Sequence, residues 1–235
     1  MFQVFQTLKT KMTDATRSTT DIAGPARGPA AARCPHAIFR NVLGSKTVES
    51  LLDYVVVRQR DFVARVLRNR ETGELRVDRS LLDCAYLVDM GPFRRPIEGF
   101  MRATLAQMLA QLHLNEPKVE AKEFEIAAYG DGDHFGAHID TDERAHKVRI
   151  ISCVYYFAAT PRRFSGGELR LHGLPTLSSK TGGGPPPFVD VLPETDTLVA
   201  FPSWLRHEVL PVRVPSGAWE DGRFTINCWI HRVSP

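Results

Sequence analysis

The sequence predicts a mainly β fold, a double-stranded β-helix of the jelly-roll type with supporting helices on one outer face. The hydrophobic pattern has a helical period across residues 36–117 and changes to a period of two from about residue 120. Eight candidate strands follow that change, which is the number in a two-sheet jelly roll. A chain of 235 residues with 43% hydrophobic content can bury such a core as one domain.

The first 33 residues differ in composition from the rest of the chain. They are rich in small residues, threonine, proline and glycine, and they offer little apolar surface to bury. We therefore expect a flexible leader at residues 1–33, followed by a single domain at residues 34–235. The initial apolar stretch is too short for a secretory signal. Both Met1 and Met12 remain candidates for the natural start.

Residues 36–117 are expected to be mostly helical and to pack against the outside of the barrel. A first helix begins near Ser45, the candidate N-cap, because an apolar stripe follows it. That stripe consists of Val48, Leu51, Leu52 and Val55. A second long helix follows within residues 93–114 and has its apolar stripe at Ile97, Met101, Leu105, Met108 and Leu112. Both stripes are interpreted as core.

Residues 120–232 are expected to form the jelly roll itself. Alternation of apolar and polar residues, interrupted by glycine and proline, marks the strands. The candidate strands are residues 122–129, 134–140, 148–157, 167–172, 187–192, 197–201, 207–213 and 222–231. The glycine- and proline-rich stretch at residues 178–187 is interpreted as a lid loop between strands.

Charge and cysteine content narrow the function classes. The formal net charge is +3 with both signs interspersed, so the chain lacks the basic footprint of a nucleic-acid-binding protein. No apolar run approaches the length of a membrane span. The four cysteines are widely spaced and form no C-x-x-C pair. They are interpreted as reduced thiols, which favours a cytoplasmic location.

A short motif, His138-Ile139-Asp140, has the spacing of a metal site. Successive side chains of a strand point to opposite faces, so His138 and Asp140 project together while Ile139 points away. A third ligand must then come from a distant strand. His207 is the candidate, because it follows a strand-like run that ends at Pro202. Two imidazoles and one carboxylate can hold a ferrous ion on one face and leave the opposite face open.

The segment after His207 alternates between a polar and an apolar face. The polar face consists of Arg223, Thr225, Asn227 and Trp229. If this face pointed to solvent, the segment would be an ordinary edge strand. If it points inward, Arg223 is a buried cation that needs a carboxylate partner. A dicarboxylate co-substrate would supply one.

An ordered set of motifs runs through roughly residues 120–232, about half of the chain. It consists of Tyr129, Gly132, Phe135, His138 and Asp140, then SCVYYF, FSGGELRLHG, FPSWLRHEVLPV and GRFTINCW. In this order the motifs resemble the iron(II)- and 2-oxoglutarate-dependent oxygenases of the prolyl 4-hydroxylase-like group. The connection VPSGAWED is longer than in many members of that group, which loosens the placement of the arginine that follows but keeps its strand register.

The resemblance implies a role for each matching residue. It implies that His138, Asp140 and His207 bind iron, and that Arg223 pairs with the far carboxylate of 2-oxoglutarate. The other pocket residues that it implies are Tyr129, Tyr156, Thr225 and Asn227. Tyr155 would point to the opposite face of its strand.

The resemblance also implies the chemistry. Members of the group use Fe(II), 2-oxoglutarate and O2, with ascorbate as a reductant, and release succinate and CO2 while hydroxylating an unactivated C–H bond. The expected substrate is a prolyl residue, an amino acid or a related small molecule. No membrane or nucleic-acid partner is expected, and the sequence does not indicate an oligomeric state.

Two alternatives stay open. A nucleic-acid base demethylase uses the same ligand set on the same fold, but it usually has a second arginine shortly after the first, whereas here Arg232 is the next one and an acidic DTDE stretch adjoins the site. A cupin-like metal protein without oxidative chemistry would leave Arg223 buried without its anion, which is unfavourable.

Overall fold

Two antiparallel β-sheets enclose a cavity, and two helices cover the outer face of the larger sheet. The computed structural model describes residues 34–65, 67–68, 75–76, 78–116, 118–141, 148–173 and 187–233. The predicted leader at residues 1–33 and most of the predicted lid loop lie outside the described residues, as does the acidic stretch from residue 142.

The larger sheet has seven strands and the smaller has five. In chain order the strands are β1 (Ala37–Arg40), β2 (Val63–Ala64), β3 (Leu67–Arg68), β4 (Leu75–Arg76), β5 (Leu82–Asp83), β6 (Ala85–Leu87), β7 (Val119–Tyr129), β8 (His134–His138), β9 (Arg149–Phe157), β10 (Ser165–Gly166), β11 (Leu169–His172), β12 (Phe188–Val191), β13 (Thr197–Pro202), β14 (His207–Val209), β15 (Val212–Arg213) and β16 (Arg223–Arg232). The larger sheet has the order β1-β13-β9-β16-β7-β6-β2, and the smaller has the order β12-β11-β14-β8-β5. Two further pairs, β3-β4 and β10-β15, stand apart. The predicted jelly-roll class is confirmed.

The strand β16 lies at the centre of the larger sheet, and its side chains alternate between the two faces of that sheet. It pairs with β7 on one side and β9 on the other, so that Thr225 lies opposite both Ala127 and Tyr156. Its apolar residues pack into the core under the helices, among them Phe224, Ile226, Cys228 and Ile230. Its polar residues line the cavity between the sheets, namely Arg223, Thr225, Asn227 and Trp229. The polar face therefore points inward, and the edge-strand alternative is wrong.

Two helices carry the apolar stripes that the sequence predicts. Helix α1 spans Ser45–Val57 and buries Val48, Leu51 and Val55, while α2 spans Arg94–Gln111 and buries Ile97, Met101 and Met108. The prediction of Ser45 as N-cap is wrong. The cap is Gly44 at φ 81°, which makes no side-chain capping bond, and Asp196 instead accepts the N–H groups of Leu43 and Gly44. A side chain distant in sequence thus fixes the entry of the helix.

Residues 36–117 also contain strands that the sequence did not predict. β1 is an edge strand that pairs with β13, and β5 and β6 are consecutive strands that pair with different sheets. Leu82 and Asp83 join β8 of the smaller sheet, while Ala85–Leu87 join β7 of the larger. These strands have two to four residues, too few to show a period, and their partners lie far along the chain.

The cysteines that were expected to be reduced are all buried and unpaired in the structure. Burial raises the pKa of the Cys84 thiol to about 12 and also raises the pKa of Cys153 and Cys228. Among the described residues, no helix is both long and apolar enough to cross a membrane.

The contact between α2 and the sheet gives a stability prediction. Met101 is fully buried against the larger sheet, whereas the neighbouring Arg102 side chain is 80% exposed. We expect Met101→Ala to lower the free energy of unfolding by about 2–5 kcal/mol, because it leaves a cavity in the core. Arg102→Ala should change it by no more than about 0.5 kcal/mol. Urea denaturation measures both, and equal effects would contradict the assigned orientation of α2.

Candidate metal centre

Three side chains converge at one end of the cavity. His138, the last residue of β8, lies opposite His207, the first residue of β14, in the pairing of these two strands. Asp140 lies two residues beyond β8, not inside a strand as the sequence predicted. The Nε2 atom of His138 is 3.5 Å from Oδ1 of Asp140, and Nε2 of His207 is 3.6 Å from Oδ2. One nitrogen or oxygen from each of the three lies within 4.8 Å of the others, as a single ion requires.

Backbone carbonyls orient both imidazoles. Nδ1 of His138 lies 2.9 Å from the carbonyl oxygen of Gly136, and Nδ1 of His207 lies 2.9 Å from that of Leu205. A carbonyl oxygen can only accept a hydrogen bond, so each Nδ1 carries the proton and each Nε2 has a free lone pair. Such bonds are common around metal-binding histidines because they fix the tautomer and the ring orientation. The Nε2 atoms of His138 and His207 lie 3.5 Å and 3.6 Å from the carboxylate oxygens of Asp140.

The charge states of the group suit a divalent cation. Burial lowers the pKa of His207 to about 4, although the Asp140 carboxylate opposes that shift, so this imidazole is neutral at neutral pH. Burial alone would raise the pKa of Asp140, but the neighbouring His207 and His138 and the hydrogen bond from Ser152 lower it well below its usual range. His207 therefore offers a neutral nitrogen and Asp140 an ionised carboxylate.

Arg223 is a fully buried cation in the same cavity. Its Nε donates to the carbonyl oxygen of Gly167 at 2.9 Å, and its guanidinium carbon lies 4.7 Å from the ring centre of Tyr129 and 5.1 Å from that of Tyr156. No carboxylate of the described residues forms an ion pair with Arg223, and its Nη1 has no hydrogen-bond partner among them. Desolvating a charge without a counter-ion is costly, so the site suits an anion.

Two hydroxyl groups near Arg223 are also without partners. Among the described residues, no hydrogen bond reaches the buried Tyr156 hydroxyl or Thr225 Oγ1. Burial raises the pKa of Tyr156 to about 12 against the opposing charge of Arg223, and burial also raises the pKa of Tyr129. Both phenols are therefore neutral. A guanidinium N–H and two hydroxyl groups, all unsatisfied, are the donors that a carboxylate would accept from.

The cavity has a volume of about 310 Å³ and extends past the three metal-binding candidates. Asn227 lies in its wall but donates its amide hydrogen to Glu125 at 3.3 Å, so its polar group faces that carboxylate. Three further residues line or contact this region and were not predicted as site residues, namely Gly167, Ser152 and Arg65. Ser152 and Gly167 lie inside quoted motifs, whereas Arg65 follows a two-residue strand and gives no sequence signal.

Part of the chain matches a known family model. Residues 124–231 match the model of the 2OG-Fe(II) oxygenase superfamily. An uncharacterized PKHD-type hydroxylase of Synechocystis is 35% identical over 132 residues, which are 56% of this chain and 43% of the relative. The chain therefore spans less than half the length of this curated relative.

Solved structures share the fold over most of the chain. A Pseudomonas putida prolyl-4-hydroxylase superposes with a TM-score of 0.58 at 21% identity and covers 86% of this chain and 95% of its own. A Trichoplax adhaerens prolyl hydroxylase in complex with a peptide fragment of the hypoxia inducible factor oxygen degradation domain gives 0.55 at 17% identity, covering 86% and 85%. A viral collagen prolyl hydroxylase from Paramecium Bursaria Chlorella virus-1, in a 2OG complex, gives 0.52 at 15% identity, covering 85% and 97%.

The family match covers the strands that carry the metal-binding candidates and Arg223, and the overall fold is that of the prolyl 4-hydroxylases. Residues 124–231 are therefore identified as a 2OG-Fe(II) oxygenase domain.

Proposed function

We propose that this protein is an Fe(II)- and 2-oxoglutarate-dependent dioxygenase in which His138, Asp140 and His207 hold the iron. In this proposal Arg223 binds the far carboxylate of 2-oxoglutarate. The observation that carries it is the buried Arg223 guanidinium, which has no carboxylate partner among the described residues and lies in the same cavity as the three metal-binding candidates. A dicarboxylate bound between Arg223 and the iron would supply an oxygen ligand at one end and the counter-ion of the guanidinium at the other.

The residues of the chain orient the reagents and keep water out. When bound, iron, 2-oxoglutarate and O2 together supply the oxidation, with release of succinate and CO2 and insertion of one oxygen atom into a C–H bond. His138, Asp140 and His207 would hold the iron from one side and leave the other side to the reagents. Arg223, with the hydroxyls of Tyr156 and Thr225, would fix the distal carboxylate. Apolar walls, including Leu169 and Val209, would exclude water from the reacting atoms.

The substrate that we propose is a prolyl residue, an amino acid or a related small molecule. The hydroxylase name of the curated relative and the prolyl hydroxylases among the structural neighbours support it.

Ascorbate is the proposed reductant. The unpaired cysteines of the described region support a reducing, cytoplasmic location. We further propose that residues 34–235 are one domain preceded by a leader.

The first prediction concerns turnover. The protein is loaded anaerobically with Fe(II), 2-oxoglutarate and a candidate panel, and O2 is then admitted. We expect substrate-dependent succinate and a product heavier by one oxygen atom. Asp140→Ala and His207→Ala should each abolish both signals because each removes a ligand, whereas His113→Asn, at an exposed position after α2, should not. Full turnover by either ligand variant would refute the assignment.

The second prediction concerns Arg223. We expect Arg223→Ala to raise the KM for 2-oxoglutarate by at least about 30-fold, the equivalent of about 2 kcal/mol for a lost buried charge pair. Arg213→Ala removes an exposed arginine from β15 and should leave the KM unchanged. The initial rate of succinate release against 2-oxoglutarate concentration measures both. An unchanged KM in Arg223→Ala would move the carboxylate site elsewhere.

The third prediction uses a pair of glycines with similar positive φ angles. Gly167 has φ +69° and Gly217 has φ +65°. A Cβ at Gly167 would lie 2.6 Å from Cδ of Arg223, whereas a Cβ at Gly217 would have no neighbour within 4 Å. Both alanine variants therefore bear the strain of a positive φ, but only Gly167→Ala displaces the arginine. We expect a raised KM for 2-oxoglutarate in Gly167→Ala alone, and equal values in the two variants would contradict the proposed role of that contact.

A further inference from the structure

Asp140 is held by more than its neighbouring imidazoles. Two donors from different strands of the larger sheet reach one of its carboxylate oxygens, Oδ2. The hydroxyl of Ser152 on β9 donates to this atom at 2.6 Å, and the indole N–H of Trp229 on β16 donates at 2.9 Å. The two bonds converge on a single atom, which also lies 3.6 Å from Nε2 of His207, while Oδ1 of the same carboxylate lies 3.5 Å from Nε2 of His138.

We propose that Ser152 and Trp229 are positioning residues that hold the Asp140 carboxylate between the two imidazoles in the orientation that the metal requires. The inference rests on the metal centre proposed above and adds to it the side chains that orient its carboxylate.

The two donors are themselves fixed in place. Ser152 is buried and its Oγ lies 3.0 Å from Oγ of Ser203. Because Ser152 has a single hydroxyl proton, which goes to Asp140, Ser203 donates in that second bond. The main chain adds a further restraint, since the backbone N–H of Asp140 donates to the carbonyl oxygen of Ser203 at 3.0 Å. The strand β9 and the turn after β13 therefore hold Asp140 from one side.

Trp229 is held from the other side. The guanidinium carbon of Arg149 lies 4.2 Å from the centre of its ring, within the range of a cation–π contact. Arg149 is in turn ion-paired with Glu123 and also donates to the carbonyl oxygen of Asp140 at 3.4 Å. The indole plane is thus fixed by its neighbours before any ion binds, and its N–H has one direction in which to point.

The orientation of Asp140 matters for the proposed metal centre. Its carboxylate would be one of the three groups that hold the iron, and without the two donors it could rotate away from His138 and His207. Partners in the outer shell of a metal site typically change metal affinity by about 10- to 100-fold when they are removed. Ser152 and Trp229 are therefore expected to act through Asp140 on the metal.

The test measures metal binding without turnover. Ser152→Ala and Trp229→Phe each remove one donor, and Trp229→Phe keeps a ring beneath Arg149. We expect each single variant to raise the Kd for Mn(II), measured from the EPR signal of the free ion, by about 10-fold. The double variant should raise it by up to about 100-fold. Ser152→Thr keeps the hydroxyl and should restore the affinity to within about twofold of the unmodified protein.

Matched controls separate this effect from a general loss of structure. Trp219→Phe removes an indole N–H that donates to the carbonyl oxygen of Val55, and Ser50→Ala removes a hydroxyl that donates to Lys46 within α1. Neither should change the Kd for Mn(II). The visible absorption of bound Co(II), which reports the coordination number, should change in the double variant and in neither control.

The possible outcomes distinguish a failure of the positioning role from a failure of the proposed metal centre. If Ser152→Ala and Trp229→Phe bind Mn(II) as tightly as the unmodified protein, with an unchanged Co(II) spectrum, the positioning role is overturned while the metal centre stands. If Trp219→Phe weakens binding equally, the effect is not specific to Asp140 and the inference also fails. If the unmodified protein binds no Mn(II), the metal centre fails and the positioning role fails with it. Thermal melting confirms that each variant compared is folded.

Discussion

The pairing of β8 with β14 is the constraint on which the rest of the site depends. It sets His138 directly opposite His207, although the two residues come from separate parts of the sequence. Each imidazole also donates to a carbonyl two residues before it, so the backbone that builds the pair also sets the direction of each ring. A slip of one residue in either strand would turn one ring to the other face of the sheet. The larger sheet then supplies the groups that hold Asp140 between the two rings.

The larger sheet has an apolar outer face and a polar inner face. The outer face of the larger sheet is covered by α1 and α2, whose buried side chains form one continuous core with β7, β9, β13 and β16. The inner face of the same sheet carries Arg223, Thr225 and Trp229 towards the cavity. Burying these groups is unfavourable unless they find partners. The large apolar core on the opposite face offsets that cost, and the unsatisfied donors near Arg223 suit an anion.

Much of this architecture could be predicted from the sequence because it is periodic. The candidate strands, the two apolar helix stripes and the division of β16 into a polar and an apolar face follow from repeating patterns of two or about 3.6 residues. The period does not show that the polar face of β16 points inward, which the cavity lining establishes. The short strands β1, β5 and β6 have no period to detect, since their positions depend on distant partners. The entry of α1 was missed for the same reason, because Asp196 holds the backbone of Leu43 and Gly44 from another part of the chain. Asn227 lies in the wall of the cavity, but its hydrogen bond with Glu125 could not be predicted from the sequence, because it depends on the register between β7 and β16.

The crossing at residues 82–87 has a mechanical consequence for the cavity. Because β5 is hydrogen-bonded to the smaller sheet and β6 to the larger, with only Cys84 between them, the two walls are tied together at this point. Neither sheet can slide past the other without breaking one of these ladders. The conformational entropy lost in ordering the cavity walls is therefore lost when the protein folds, before any ligand binds. A ligand that enters finds its surroundings already assembled, and less of its binding free energy is lost to ordering them.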